Sequence, residues 1–131
     1  MLLHIGIDDT DSPKNGCTTY ISAILIEKLI QLGVIFIDYP ILIRLNPNAP
    51  WKTRGNGAVC LRLKFDDELE SKIKKIVIEE VEKQSEFECE NTNPGIVFYK
   101  GDIPKEIESF SNKAVQTIVK LEEAEELINK Y

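Results

Sequence analysis

Apolar residues follow two different rhythms along this chain, and the switches between them mark out its elements. Residues 2–8, Leu-Leu-His-Ile-Gly-Ile-Asp, read as a strand running into an acidic loop. Over residues 18–32 the spacing lengthens. Ile21, Ile24, Leu25, Leu29 and Leu32 form one helical stripe, which Thr18 or Thr19 can cap and Gly33 can stop. Residues 34–46 are rich in Ile and Val and predict a second strand ending at Arg44-Leu45-Asn46. A loop of Pro, Asn, Lys, Arg and Gly then runs to about Gly57. Residues 58–65 alternate between apolar and polar, the pattern of a third strand with one wet face. Residues 67–84 predict a second helix with Leu69, Ile73, Ile76, Val77 and Val81 inward. Asn91-Thr92-Asn93-Pro94-Gly95 reads as a turn into a fourth strand, Ile96 to Tyr99, which Gly101-Asp102 ends. Pro104 suits the first turn of a third helix with inner positions Ile107, Phe110, Ala114, Ile118 and Leu121, continuing into an acidic end.

The resulting order, β-α-β-β-α-β-α, predicts an α/β (α+β) fold. Two split βαβ units make a mixed sheet with helices mainly on one face, related to the ferredoxin-like folds. A length of 131 residues fits one domain spanning residues 1–131. The last helix reaches Tyr131 without a stop signal, which fits a chain cut from something longer and equally fits a terminal helix.

Charge changes the picture more than composition does. Twenty-two acidic against 16 basic residues give a net charge of −6, whereas a domain that grips nucleic acid alone carries a basic surface. Any service to a nucleic acid therefore needs other modules for affinity. No apolar run is long enough to cross a bilayer, and Asp8 and Asp9 arrive too early for a secretory leader, so a cytoplasmic location is expected. Cys17, Cys60 and Cys89 offer no C-x-x-C pair and read as small apolar residues. His4 has no histidine partner for a metal and reads as a packed or surface residue.

Three segments can carry chemistry. The first is Asp8-Asp9-Thr10-Asp11-Ser12, directly after the first strand. Carboxylates held at a strand end suit Mg²⁺ and, through it, nucleotide phosphates. The same residues with Pro13 also favour a solvated turn. The second is Gly16-Cys17-Thr18-Thr19 at a helix start, where free N–H groups attract an anion and a threonine hydroxyl could accept a phosphoryl group. Plain helix capping is the competing duty. The third runs from Arg44 to Gly57, where Lys52, Arg54, Gly55, Asn56 and Gly57 combine cationic groups with flexible backbone donors. It lacks P-loop spacing and also fits an exposed hairpin; Trp51 can stack on a base or pack beneath the loop.

At these residues the sequence resembles the archaeal tRNA(Ile) 2-agmatinylcytidine synthetases, or agmatidine synthases. The resemblance lies in I-G-I-D-D-T-D-S from Ile5, G-C-T-T from Gly16, R-L-N-P-N-x-P-W-K-T-R-G-N-G from Arg44 and N-T-N-P-G from Asn91. It implies an ATP-dependent enzyme joining agmatine to C2 of the wobble cytidine of tRNA(Ile) with a CAU anticodon. It further implies a kinase-like amino-terminal domain that activates the cytidine oxygen by phosphorylation and phosphorylates itself at the position of Thr18. Asp8, Asp9 and Asp11 would hold Mg²⁺ and ATP; Gly16, Thr19, Lys52, Arg54 and the Gly55–Gly57 stretch would face phosphates.

Family members continue into an agmatine-binding domain, an OB-fold and a zinc ribbon, none of which fits in this length. The resemblance thus implies either the amino-terminal part of a longer multidomain enzyme or a shortened relative, and this chain alone is expected to bind ATP–Mg²⁺ weakly without completing the reaction. Two other readings stay open. Asp9-Thr10-Asp11 is similar to the D-x-D start of Mg²⁺-dependent phosphohydrolases, although Pro13 stands where Thr or Val is usual. The β-α-β-β-α-β order also suits a non-catalytic ligand-binding or dimerisation module.

Overall fold

Alternation in the first strand fixes which way the sheet faces. The computed structural model describes residues 1–8, 18–44, 57–84, 95–116 and 121–131. In β1 (Leu2–Asp8), Leu3, Ile5 and Ile7 are buried while His4, Gly6 and Asp8 lie on the other face. β4 (Gly57–Lys64) repeats the rule with Val59, Leu61 and Leu63 inward. These strands pair antiparallel, Ile5 opposite Leu61 and Asp8 opposite Ala58. β5 (Gly95–Lys100) lies on the other side of β1, with Gly95 opposite Asp8.

Two helices close the apolar face. α1 (Thr18–Leu32) contributes Ile21, Leu25 and Leu29 at four-residue spacing, and α2 (Glu70–Gln84) contributes Ile73, Val77 and Val81. A short 3-10 turn, Asp67–Leu69, precedes α2. Lys28 of α1 pairs with Glu80 of α2, whose side chain is buried. The predicted stop at Gly33 takes the form of a Schellman cap. Gly33 has φ 105°, its N–H donates to the Ile30 carbonyl (3.1 Å), and the Val34 N–H donates to that of Leu29 (3.3 Å).

The sheet order is β2-β4-β1-β5, with β3 also on β4. Neighbouring strands are antiparallel in every described pairing. The parallel members of each split βαβ unit are separated by an inserted strand, so the mixed character expected of neighbours does not arise. The α+β class and the ferredoxin-like order hold.

Two expectations need correction. The predicted single strand over residues 34–46 is two: β2 (Ile35–Phe36) and β3 (Ile41–Arg44). Phe36 faces Leu63 and Ile41 faces Cys60, so four residues on this edge stand opposite only two of β4. Pro40 cannot donate to the ladder, and Asp38 in the bulge meets Arg62 at 2.8 Å. The predicted third helix is also two, α3 (Lys105–Gln116) and α4 (Leu121–Ile128). Lys130 and Tyr131 reach Glu106 at 2.8 and 2.9 Å. One straight helix would hold those residues about 36 Å apart, so the chain folds back.

An ion pair joins α2 to β5 at the end of the sheet away from Asp8: Lys100 Nζ to Glu70 Oε1, 2.7 Å. The hydrogen bond from Lys100 holds the Glu70 carboxyl below its ordinary value, and the same bond raises Lys100. The depressed Glu70 stabilises fully above the ordinary carboxylate value of about 4.3, losing this as pH falls through its folded pKa. The raised Lys100 stabilises fully below about 10.4 and loses this as pH rises through its folded pKa. The Tm gap between the native chain and Lys100→Gln should therefore be present at neutral pH and close at both extremes. Thermal melts across pH check it; a gap that persists in strong acid removes the pair from the account.

Candidate functional site

The register of the sheet collects one end of it into a single rim. Asp8, the last residue of β1, lies opposite Ala58 on one side and Gly95 on the other. Gly57, which precedes Ala58, pairs with Arg44, the last residue of β3. Segments 9–17, 45–56 and 85–94 therefore all join the described structure at this rim.

The start of α1 comes to the same end. α1 leads through Gly33 and Val34 into Ile35, which pairs with Lys64, itself opposite Leu2. The helix thus finishes at the far end of the sheet. Its 15 residues span about 22 Å, close to the length of β1, about 24 Å. Thr18 and Thr19 consequently open α1 beside the end of β1. Ser22, Ala23 and Ile26 agree with this: they share a largely apolar cleft of about 250 Å³ with Pro40, Leu42 and Val59, and Val59 adjoins the cross-strand partner of Asp8.

Asp8 is half-buried on the face turned away from α1 and α2. Its carboxylate lies against Gly95 so closely that a β-carbon placed there would sit 2.8 Å from Oδ1. A hard oxygen donor held at a strand end fits one position of a Mg²⁺ shell. Among the described residues no group of three or more acidic, cysteine or histidine side chains could hold a metal. Asp9 and Asp11, which would complete the acidic set, lie outside the described residues, as do Gly16, Lys52, Arg54, Gly55 and Asn56. Gly57, predicted as part of the phosphate loop, is the first residue of β4 and joins the ladder through Arg44. The backbone positions of Asp8, Gly57 and the start of α1 with Thr18 and Thr19 thus lie at one end of the sheet, with the Asp8 side chain on the face opposite the helices. Gly95 is the residue that sequence reading placed in a turn and did not count in the site; a glycine entering a strand was the available signal.

Among the described residues, His4 and Cys60 have structural surroundings. The His4 Nε2–H donates to the Gly101 carbonyl at 2.8 Å, and its ring stands 6.2 Å from that of Tyr99. Burial pushes the Cys60 thiol up, away from the thiolate form a nucleophile needs. Both agree with the sequence reading of His4 as a packed or surface residue and of Cys60 as a small apolar one. Cys17 and Cys89 lie outside the described residues.

The chain matches known proteins over nearly its whole length. A family described as the TiaS TCKD domain matches residues 4–131. A curated relative from Thermococcus sibiricus, the isoleucine-tRNA 2-agmatinylcytidine synthetase TiaS, is 51% identical over 125 residues, covering 95% of this chain and 29% of its own length. Two crystal structures superpose on the entire chain and are covered over 31% of theirs. One, TiaS in complex with its isoleucine tRNA and ATP, has a TM-score of 0.90 at 37% identity. The other, TiaS with the same tRNA, AMPCPP and agmatine, has a TM-score of 0.89 at 34% identity. The chain belongs to the TiaS TCKD domain family. It spans roughly three tenths of the length of these relatives.

Proposed function

We propose that this chain is the ATP-using, kinase-like part of an agmatidine synthase. The whole enzyme would join agmatine to C2 of the wobble cytidine in tRNA(Ile) with a CAU anticodon. The observation that carries this reading is the shared rim: an acidic strand end, a helix start bearing Thr18, and the ends of β3 and β4 that bracket the Lys52–Arg54 segment. The relatives solved with ATP, and with AMPCPP and agmatine, support it.

The division of labour follows from charge. Asp8, with Asp9 and Asp11, would hold Mg²⁺, which neutralises phosphate charge when bound. The start of α1 would supply a second anion-stabilising element through its backbone N–H groups and helix dipole. Gly16, Thr19, Lys52, Arg54, Gly55, Asn56 and Gly57 would line the phosphates, and Thr18 would accept a phosphoryl group. Such transfer needs positioning and charge neutralisation more than covalent chemistry from the protein. A domain of net charge −6 is poorly suited to hold tRNA by itself. tRNA and agmatine would be bound chiefly by other parts of a longer cytoplasmic enzyme, and this chain alone would not complete agmatidine synthesis.

Incubation with γ-labelled ATP and Mg²⁺ tests the reading. The intact chain should acquire label and Thr18→Ala should not, with both melting alike. Label retained on Thr18→Ala removes the threonine from its role. Formation of agmatidine by this chain alone would refute the proposed dependence on other modules.

A further inference from the structure

Gly95 has no backbone reason to be glycine. The left-handed φ values among the described glycines belong to Gly33 and Gly101, so the conformation at Gly95 is open to any L-residue. Its reason is space. A β-carbon at Gly95 would meet Asp8 Oδ1 at 2.8 Å and Asp8 Cγ at 3.9 Å. Gly6, the neighbouring glycine on the same face, shows the contrast: a β-carbon there would meet only Val97 Cβ, at an ordinary 4.0 Å. Glycine within a strand commonly marks the place where another group approaches the backbone closely. Here that group is the carboxylate that ends β1.

The geometry points to Gly95 as a positioning residue for Asp8. By leaving its side-chain volume empty, it lets the Asp8 carboxylate lie across β5 at the rim, in one orientation, as a ligand for a divalent cation on the nucleotide. This rests on the nucleotide reading proposed for the rim. The atom in conflict is the end of a short side chain and not the backbone, so adding a methyl group should turn the carboxylate while leaving the strand pairing intact. An effect through Asp8 should accordingly appear in metal-dependent binding and not in the fold.

The test titrates ATP into the native chain, Gly95→Ala and Val97→Ala, with Mg²⁺ and again with the metal chelated, and records thermal melts of each. Native affinity should be higher with Mg²⁺. In Gly95→Ala that Mg²⁺-dependent gain should fall about tenfold, while metal-free affinity and Tm stay close to native. Val97→Ala, on the same strand and face, should match the native chain throughout. A Gly95→Ala chain that keeps the full gain overturns the proposal and leaves the nucleotide reading standing. So does one that weakens equally with and without metal, or one that loses its fold, since either assigns Gly95 to architecture. A native chain showing no Mg²⁺-dependent ATP binding brings down the nucleotide reading, and the role of Gly95 with it.

Discussion

Asp8→Asn should weaken Mg²⁺–ATP binding by roughly 100-fold, about 2.7 kcal/mol, without disturbing the fold. Asparagine is nearly isosteric with aspartate, so the contact with Gly95 and the pairing with Ala58 persist while the charge is lost. Thermal stability should register the loss. A ligand at about 100 times its dissociation constant stabilises the native state by about 2.7 kcal/mol, whereas the same concentration at a hundredfold weaker site gives about 0.4. For a chain of 131 residues these correspond to rises in Tm of about 10 °C and about 1.5 °C. Removing the metal should reverse the order. An ionised carboxylate repels a bare polyphosphate, so metal-free ATP should bind Asp8→Asn at least as well as the native chain. Thermal shift with and without Mg²⁺ measures both arms. A variant that responds to Mg²⁺–ATP as the native chain does would take Asp8 out of the site.

Whether an element was legible in the sequence depended on whether its signal was local. β1 and β4 alternate because one face is buried, and α1 and α2 repeat every three or four residues because one stripe is buried. The helix stop at Gly33 was equally local. The edge strand was not. A run of Ile and Val carries no register, and what divides β2 from β3 is the slip against β4 together with Asp38 reaching Arg62, 24 residues away. The fold-back of α4 onto α3 depends likewise on Glu106 meeting Lys130 and Tyr131, contacts that helical periodicity cannot register. In the site, Asp8 could be read because carboxylates after a strand are conspicuous. Gly95 could not, because its role exists only once β5 lies beside β1 in that register. The roles assigned to Asp9, Asp11, Gly16, Lys52, Arg54, Gly55 and Asn56 rest on motif and chemistry, since these positions lie outside the described residues.

Leu61→Ala should lower the unfolding free energy by about 3–4 kcal/mol and Tm by about 12 °C. Leu61 is fully buried at the middle of β4, the strand that holds β1 on one side and β2 and β3 on the other. It stands opposite Ile5, between Val59 and Leu63, and belongs to the core roofed by Leu25, Leu29, Ile73 and Val77. Truncation removes the transfer free energy of the lost carbons and leaves a cavity that a rigid strand cannot close. Ala at Val97, half exposed on the opposite face, should change stability by no more than about 0.5 kcal/mol. Urea denaturation resolves the two, with the midpoint moving and the slope held constant. The rim adds a functional condition. Leu61 is three positions from Ala58, the partner of Asp8, and faces away from it. Below its Tm, Leu61→Ala should therefore bind Mg²⁺–ATP nearly as the native chain does. Stability and binding should separate cleanly between Leu61 and Asp8, the first lost without the second at one residue and the second without the first at the other. A Leu61→Ala chain that loses less than about 1 kcal/mol would mean that β4 is not the packed centre on which the position of the Asp8 rim depends.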